Sequence, residues 1–223
     1  MRDRNCVKEM MLLYAVTDRA WTGKESLYTQ VEKALKGGVT CVQLREKALD
    51  EETFLQEAIR IRKLCQCYHV PLIINDNVRV AMACHADGIH VGQNDMEAKE
   101  VRRWIGESMI LGVSVHNVDE AEQAAACGAD YLGVGAVFST TTKHKVSRMP
   151  METLQFICRA VEVPVVAIGG INQGNIMELA GSGVDGVALV SAIFSAENIE
   201  EQCQSLRRMA EEMVEAEIQE EKN

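Results

Sequence analysis

The sequence predicts an α/β fold of the TIM (β/α)8 type, in which eight parallel strands close into one sheet and helices cover its outer surface. Three observations carry this. Eight short apolar runs recur at near-regular intervals: Leu12 to Val16, Thr40 to Leu44, Pro71 to Ile74, Gly88 to Val91, Ile110 to Val113, Tyr131 to Val134, Pro164 to Ile168 and Val187 to Val190. The segments between them repeat apolar residues at three- and four-residue steps, as in Leu27, Val31, Leu35 and Phe54, Ala58, Ile61, Leu64, the period of a helix with one buried face. The runs themselves show little polar alternation, as expected of parallel strands covered by those helices.

Taken in chain order, each run ends in residues suited to chemistry. They are Thr17-Asp18, Arg45-Glu46-Lys47, Asn75-Asp76, Gln93 with Asp95, Ser114, a threonine run ending in Lys143, Gly169-Gly170, and Ser191. In a closed parallel barrel these ends share one face, where such barrels keep their active sites. The starts of several runs echo one another. Ala86-Asp87-Gly88-Ile89, Gly128-Ala129-Asp130-Tyr131 and Gly183-Val184-Asp185-Gly186 share a small residue, an aspartate and an apolar step, and Gly37-Gly38-Val39-Thr40 is a looser copy. These aspartates open strands at the opposite face, so Asp87, Asp130 and Asp185 are expected to be structural.

Composition narrows the function. The 223 residues, 47% of them hydrophobic, suffice for a single domain spanning residues 1–223. A formal charge of -10 argues against a nucleic-acid surface. Six glutamates between Glu211 and Asn223 read as the frayed, solvated end of a last helix. The eight cysteines include no metal-type pair of pairs and, without a secretory signal, are expected to be reduced and mostly buried. The apolar stretch near the N-terminus is too short for a membrane span, which leads to a cytoplasmic protein with no membrane partner. Dinucleotide-binding and Walker glycine patterns are both absent.

The chemistry gathers in three places. Asp76 and Asp95 sit just past neighbouring strands with amides beside them, a set suited to magnesium; Asp95 has helix capping as an even alternative. Arg45 and Lys47 stand at the mouth of the second strand, and Ser139 to Lys145 adds Lys143 with several hydroxyls. Cations beside carboxylates imply a metal-bridged diphosphate, whereas Lys145 and Arg148 read as a solvated loop. Gly169-Gly170 after the seventh run and Val190-Ser191 after the eighth suit a second, separate phosphate. Ser114, between the two, suits a small heterocycle.

In order along the chain, Tyr14-Ala15-Val16-Thr17-Asp18, Gln43-Leu44-Arg45-Glu46-Lys47, Ile74-Asn75-Asp76-Asn77, Asp87 to Gln93 with Asp95, Gly112-Val113-Ser114, Asp130 to Gly135, Thr140-Thr141-Thr142-Lys143 and Ala167 to Ile171 closely resemble the motifs of thiamine phosphate synthases. The resemblance implies a transferase that joins a hydroxymethylpyrimidine diphosphate to a thiazole phosphate and releases pyrophosphate. It assigns Gln43, Leu44, Arg45, Glu46, Lys47, Asn75, Ser114 and Lys143 to the pyrimidine diphosphate, with Arg45, Lys47, Ser114 and Lys143 catalytic. Asp76 and Asp95 are assigned to Mg2+, and Thr140, Thr141, Thr142, Gly170, Val190 and Ser191 to the thiazole phosphate. The implied partners are these small molecules and, at most, further copies of the same chain. The implied route is dissociative and calls on none of the cysteines or histidines; Thr17-Asp18 receive no role. The sequence departs from the family at Ser139, where proline is common, and in Ser147 to Pro150, where glycine is usual. Two rivals stand beside this reading: a thiazole tautomerase on the same fold, disfavoured by the presence of Asn75, Asp76 and Asp95, and a non-catalytic phosphate-binding barrel.

Overall fold

All eight apolar runs are strands, and each pairs in parallel with its neighbours until the eighth meets the first. The computed structural model describes residues 4–23, 25–139 and 149–220, with backbone alone at residues 4 and 217–220. The strands are β1 (Leu13–Val16), β2 (Cys41–Leu44), β3 (Leu72–Asn75), β4 (Gly88–Val91), β5 (Ile110–Val115), β6 (Tyr131–Gly135), β7 (Val165–Ile168) and β8 (Gly186–Leu189). The expected closed barrel is borne out. One difference matters for the site: β5 runs on to Val115, so Ser114 lies within the strand, opposite Gly133 of β6.

The helices outside are α1 (Arg4–Met11), α2 (Leu27–Lys36), α3 (Glu51–Cys67), α4 (Val78–Ala83), α5 (Ala98–Ile105), α6 (Val118–Ala126), α7 (Met151–Ala160), α8 (Ser191–Phe194) and α9 (Ile199–Glu220). Ser26, Asp50, Asn77 and Asn117 cap α2, α3, α4 and α6 by accepting the amide three residues on, which satisfies donors that a helix start otherwise leaves open. Between β7 and β8 there is only a 3-10 turn, Ile176–Leu179, in a glycine-rich stretch poorly suited to a full helix. At the other end, α9 is unbroken to Glu220, because Leu206, Ala210 and Met213 continue the buried stripe past Glu211. The packed part of that acidic end is therefore longer than its charge suggests. No helix among the described residues is long and apolar enough to cross a membrane.

Alternation along each strand divides the core in two. Outward residues such as Leu44, Ile74 and Ile89 pack with the helices in one large cluster. Inward residues Tyr14, Val16, Cys41, Ile73, Ile110, Tyr131 and Val166 form a second cluster, closed from below by Val7 and Met11 of α1. Gly112 makes room for it, since a Cβ there would lie 2.1 Å from the Tyr131 ring. All eight cysteines are free and four are buried.

The repeated strand openings do bind at the bottom. Thr40, Asp87, Asp130 and Asp185 each accept the amide of the preceding strand through the side chain, at 2.8 Å from Leu13, Leu72, Leu111 and Val165 in turn. Each also returns its own amide to that residue's carbonyl. The three aspartates are ion-paired to Arg62, Arg102 and Lys8. Asp130→Ala is expected to cost about 2 kcal/mol, because it leaves the Leu111 amide without its side-chain acceptor and takes the carboxylate from Arg102, which keeps only backbone carbonyls. That corresponds to roughly 4–8 °C in Tm by calorimetry, with turnover retained.

Candidate active site

The tops of β2 to β5 bring the expected diphosphate residues together. Gln43, Arg45, Asn75 and Ser114 line one pocket at the barrel mouth. Asn75 is 8% exposed, and its amide nitrogen is buried with no partner among the described residues. A buried donor without an acceptor is costly, and in a pocket it marks where a ligand oxygen belongs. Lys47 lies just outside, ion-paired to Asp76. Leu44 and Glu46 take other positions. Leu44 is fully buried in the outer cluster, so only its backbone can reach a ligand. The Glu46 side chain, 1% exposed, turns to Arg19 at 2.7 Å.

Asp76 stands in the left-handed region at φ 63, a conformation asparagine and aspartate tolerate better than other side chains. Its amide donates to the His90 carbonyl at 2.8 Å, which ties this turn to β4. Asp95 accepts the Gly92 amide at 2.8 Å, and α5 begins at Ala98 after Glu97, with no side-chain cap. The capping alternative for Asp95 is thereby removed. Burial pushes the Asp95 carboxyl above its ordinary range, and the adjacent Asp76 carboxylate adds to the shift. Two carboxylates this close repel unless something positive lies between them, and their oxygens are the donors that Mg2+ prefers. Among the described residues no cluster of three or more His, Cys, Asp or Glu side chains could hold a metal. The pair fits Mg2+ in its usual protein setting, where waters and phosphate oxygens complete the shell.

Beneath this rim a hydrogen-bonded chain crosses the barrel interior. Gln43 Nε2 donates to the Tyr14 hydroxyl at 2.8 Å, Tyr14 meets the Tyr131 hydroxyl at 2.8 Å, and Tyr131 meets His90 Nδ1 at 2.9 Å. His90 Nε2 then meets Ser114 Oγ at 2.8 Å. With Gln43 donating to Tyr14, the order that uses every link sends the Tyr14 proton to Tyr131 and the Tyr131 proton to Nδ1, leaving the imidazole proton on Nε2, facing Ser114. The Ser114 hydroxyl accepts there and keeps its own proton to give to a ligand. Burial pushes both tyrosine hydroxyls well above their ordinary range, so they stay protonated.

On the far side, Gly169 and Gly170 are both left-handed, with φ 100 and 69. A Cβ on Gly170 would lie 2.4 Å from the Ser139 carbonyl, so the loop after β6 starts in contact with the glycine turn after β7. Val190 immediately precedes α8, whose first residue is Ser191, and both sit at the same end of the barrel. Thr140, Thr141, Thr142 and Lys143 lie outside the described residues. A larger cavity, about 720 Å3, opens at the bottom face beside Lys8, Arg159 and Ser182. Lys8 there is already paired with Asp185.

A profile of the thiamine monophosphate synthase family matches residues 13–193. The chain belongs to the thiamine monophosphate synthase family. A thiamine-phosphate synthase from Clostridium botulinum is 48% identical over 195 residues, 87% of this chain and 92% of its own length. One from Clostridium acetobutylicum is 44% identical over 189 residues, 85% and 90% of the two chains. Among solved structures, a thiamine phosphate pyrophosphorylase from Pyrococcus furiosus superposes with a TM-score of 0.85 at 36% identity, covering 93% of this chain and 99% of that one. The resemblance read from the motifs is borne out.

Within the thiamine monophosphate synthase family frame, the structure adds residues that sequence reasoning left without a role. Tyr14, Tyr131 and His90 form the pocket floor, and His90 touches Ser114 directly. One histidine therefore lines the pocket, beside a residue that the resemblance assigns to the pyrimidine diphosphate. The three come from separate strands and look like filler in an apolar run; the clue was their inward register, two residues from Val16, Gly133 and Gly88. Thr17 and Asp18, also without a role, hold Arg45. Thr17 Oγ1 accepts its amide at 2.9 Å and Asp18 accepts its guanidinium at 3.2 Å.

Proposed function

We propose that the chain synthesises thiamine phosphate by joining a 4-amino-2-methylpyrimidine, carrying a diphosphooxymethyl group, to a thiazole phosphate, with release of pyrophosphate. The observation that carries the reading is the meeting of a diphosphate-sized set of groups with a polar-floored pocket. Arg45, Lys47 and the unpartnered Asn75 amide stand at the rim beside Asp76 and Asp95, and Ser114 waits below. Family membership supplies the reaction class, an alkyl-group transfer between small molecules, and the natural compartment for it is the cytoplasm.

In this reading the pyrimidine occupies the pocket, oriented by the Gln43 amide and by the free proton of Ser114. The Tyr14, Tyr131 and His90 chain fixes both. The C–O bond to the diphosphate breaks first and its electron pair leaves with the oxygen. The amino-substituted ring spreads the resulting positive charge, so no covalent nucleophile from the protein is needed. Arg45 and Lys47 hold the departing oxygens, and Asn75 donates to one of them. Lys143 joins them from the loop after β6. Asp76 and Asp95 would hold Mg2+, which when bound neutralises charge building on the diphosphate. The thiazole nitrogen then attacks the methylene carbon to form the new C–N bond. Its phosphate is held by Gly170, Val190, Ser191 and the Thr140 to Thr142 hydroxyls.

Purified protein given both substrates is expected to release pyrophosphate and form thiamine phosphate in equal amounts, and only with Mg2+ supplied. A coupled assay for the two products checks this. Full turnover in excess chelator would remove the metal from the reading, and isomerisation of a thiazole carboxylate phosphate without condensation would replace it with the tautomerase.

A further inference from the structure

We propose that the loop after β1 is a grip that sets the cationic loop after β2, with Arg19 its central positioning residue. The inference rests on the thiamine phosphate reading, since the ligand it serves is the diphosphate. Three consecutive residues on one loop engage the other almost one for one. Thr17 donates its amide to the Gln43 carbonyl at 2.9 Å and accepts the Arg45 amide on its hydroxyl at 2.9 Å. Asp18 accepts the Arg45 guanidinium at 3.2 Å. Arg19 donates from Nε to Glu46 at 2.7 Å and from Nη2 to Glu57 of α3.

The energetic centre of the grip is Glu46. Its chain neighbours are the two cations expected to meet the diphosphate, yet its own carboxylate is sequestered, 1% exposed, with one oxygen lacking any partner among the described residues. Burial raises the Glu46 carboxyl above its ordinary range, and Arg19 opposes that shift. The charged groups facing it are Arg19 from the β1 loop and Glu57 from α3. One guanidinium thus serves two carboxylates, an arrangement that needs the planar fork of arginine. A buried charge stripped of its partner is strongly unfavourable. Without Arg19, a charged Glu46 is drawn toward water, which pulls on the Arg45 to Lys47 backbone that carries it.

Magnitudes follow from misplacement of binding groups. Arg19→Met is expected to raise KM for the pyrimidine diphosphate, and to weaken binding of magnesium pyrophosphate by calorimetry, about 10–100-fold, while kcat changes far less. Arg19→Met/Glu46→Gln removes the stranded charge and is expected to recover most of that affinity; Arg19→Lys is expected to fall between Arg19→Met and wild type. Unaltered affinity in Arg19→Met, or a double variant no better than the single, overturns the grip. If Arg19→Met does not fold, Asp18→Asn keeps the oxygen that accepts the Ala20 amide at 2.9 Å but frees Arg45, and an unchanged KM in it likewise overturns the proposal. Wild-type protein that binds magnesium pyrophosphate without turnover would overturn the parent reading instead, and binding by the variants would still decide the grip.

Discussion

Asp76→Asn is expected to lower kcat/KM on the order of 10²–10³-fold, the scale lost when charge stabilisation is removed from a developing anion. Asparagine is the informative substitution. It keeps the side-chain volume and tolerates the left-handed backbone at φ 63, so the loss should come without a fall in Tm. Alanine at the same position mixes in backbone strain. Removing the carboxylate has two effects on the rim: Asp95 loses the anion with which it would share Mg2+, and Lys47 loses its ion-pair partner. The Mg2+ concentration for half-maximal rate should therefore rise steeply. Steady-state kinetics across a Mg2+ titration reads both. Activity within reach of wild type at an unchanged Mg2+ requirement would sink the metal assignment, as would an equal loss in Asp130→Ala.

Tyr131→Phe is expected to have the second largest effect, and on two observables. The ring stays and continues to fill the space Gly112 leaves, so no cavity forms. What disappears is the hydroxyl between Tyr14 and His90, 2.8 and 2.9 Å from them. The Tyr14 hydroxyl then loses the oxygen it meets and His90 Nδ1 loses the tyrosine hydroxyl, both in the buried pocket floor. Breaking the two bonds costs about 2–4 kcal/mol together, or roughly 5–15 °C in Tm. Nothing then holds the imidazole proton on Nε2, and the Ser114 hydroxyl loses its fixed orientation. A drop in kcat/KM of about tenfold or more should accompany the stability loss. Scanning calorimetry and the product assay check it; full activity in a stable Tyr131→Phe protein would show that the chain's proton order is unimportant.

The barrel was legible because its strands and helices differ in period, and the rim because strand ends announce themselves with polar residues after apolar runs. Asn75, Asp76, Asp95 and Arg45 needed no long-range information to be placed on one face. The chain beneath them did. Tyr14, His90 and Tyr131 are each an isolated polar group in an apolar strand, and only closure of the sheet brings Tyr14 and His90 within 3 Å of the Tyr131 hydroxyl. Thr17-Asp18 were visible as a motif yet opaque in role, because what they hold is a neighbouring loop and not a ligand. Leu44 shows the reverse: membership in a motif does not say which way a side chain points, and strand alternation sends this one outward.

The four bottom-face latches have a consequence for how the molecule is put together. Each ties an even strand to the odd strand before it, so reciprocal bonds join β1 to β2, β3 to β4, β5 to β6 and β7 to β8. Across two of the seams between these pairs stand Pro71 and Pro164, which offer a carbonyl to Val42 and Leu132 but have no amide to return. The eightfold barrel is in this respect a ring of four latched parallel pairs. A chain opened at a seam keeps both partners of every latch close in sequence, whereas one opened inside a pair sends its two strands to opposite ends of the chain, and new termini belong at the former.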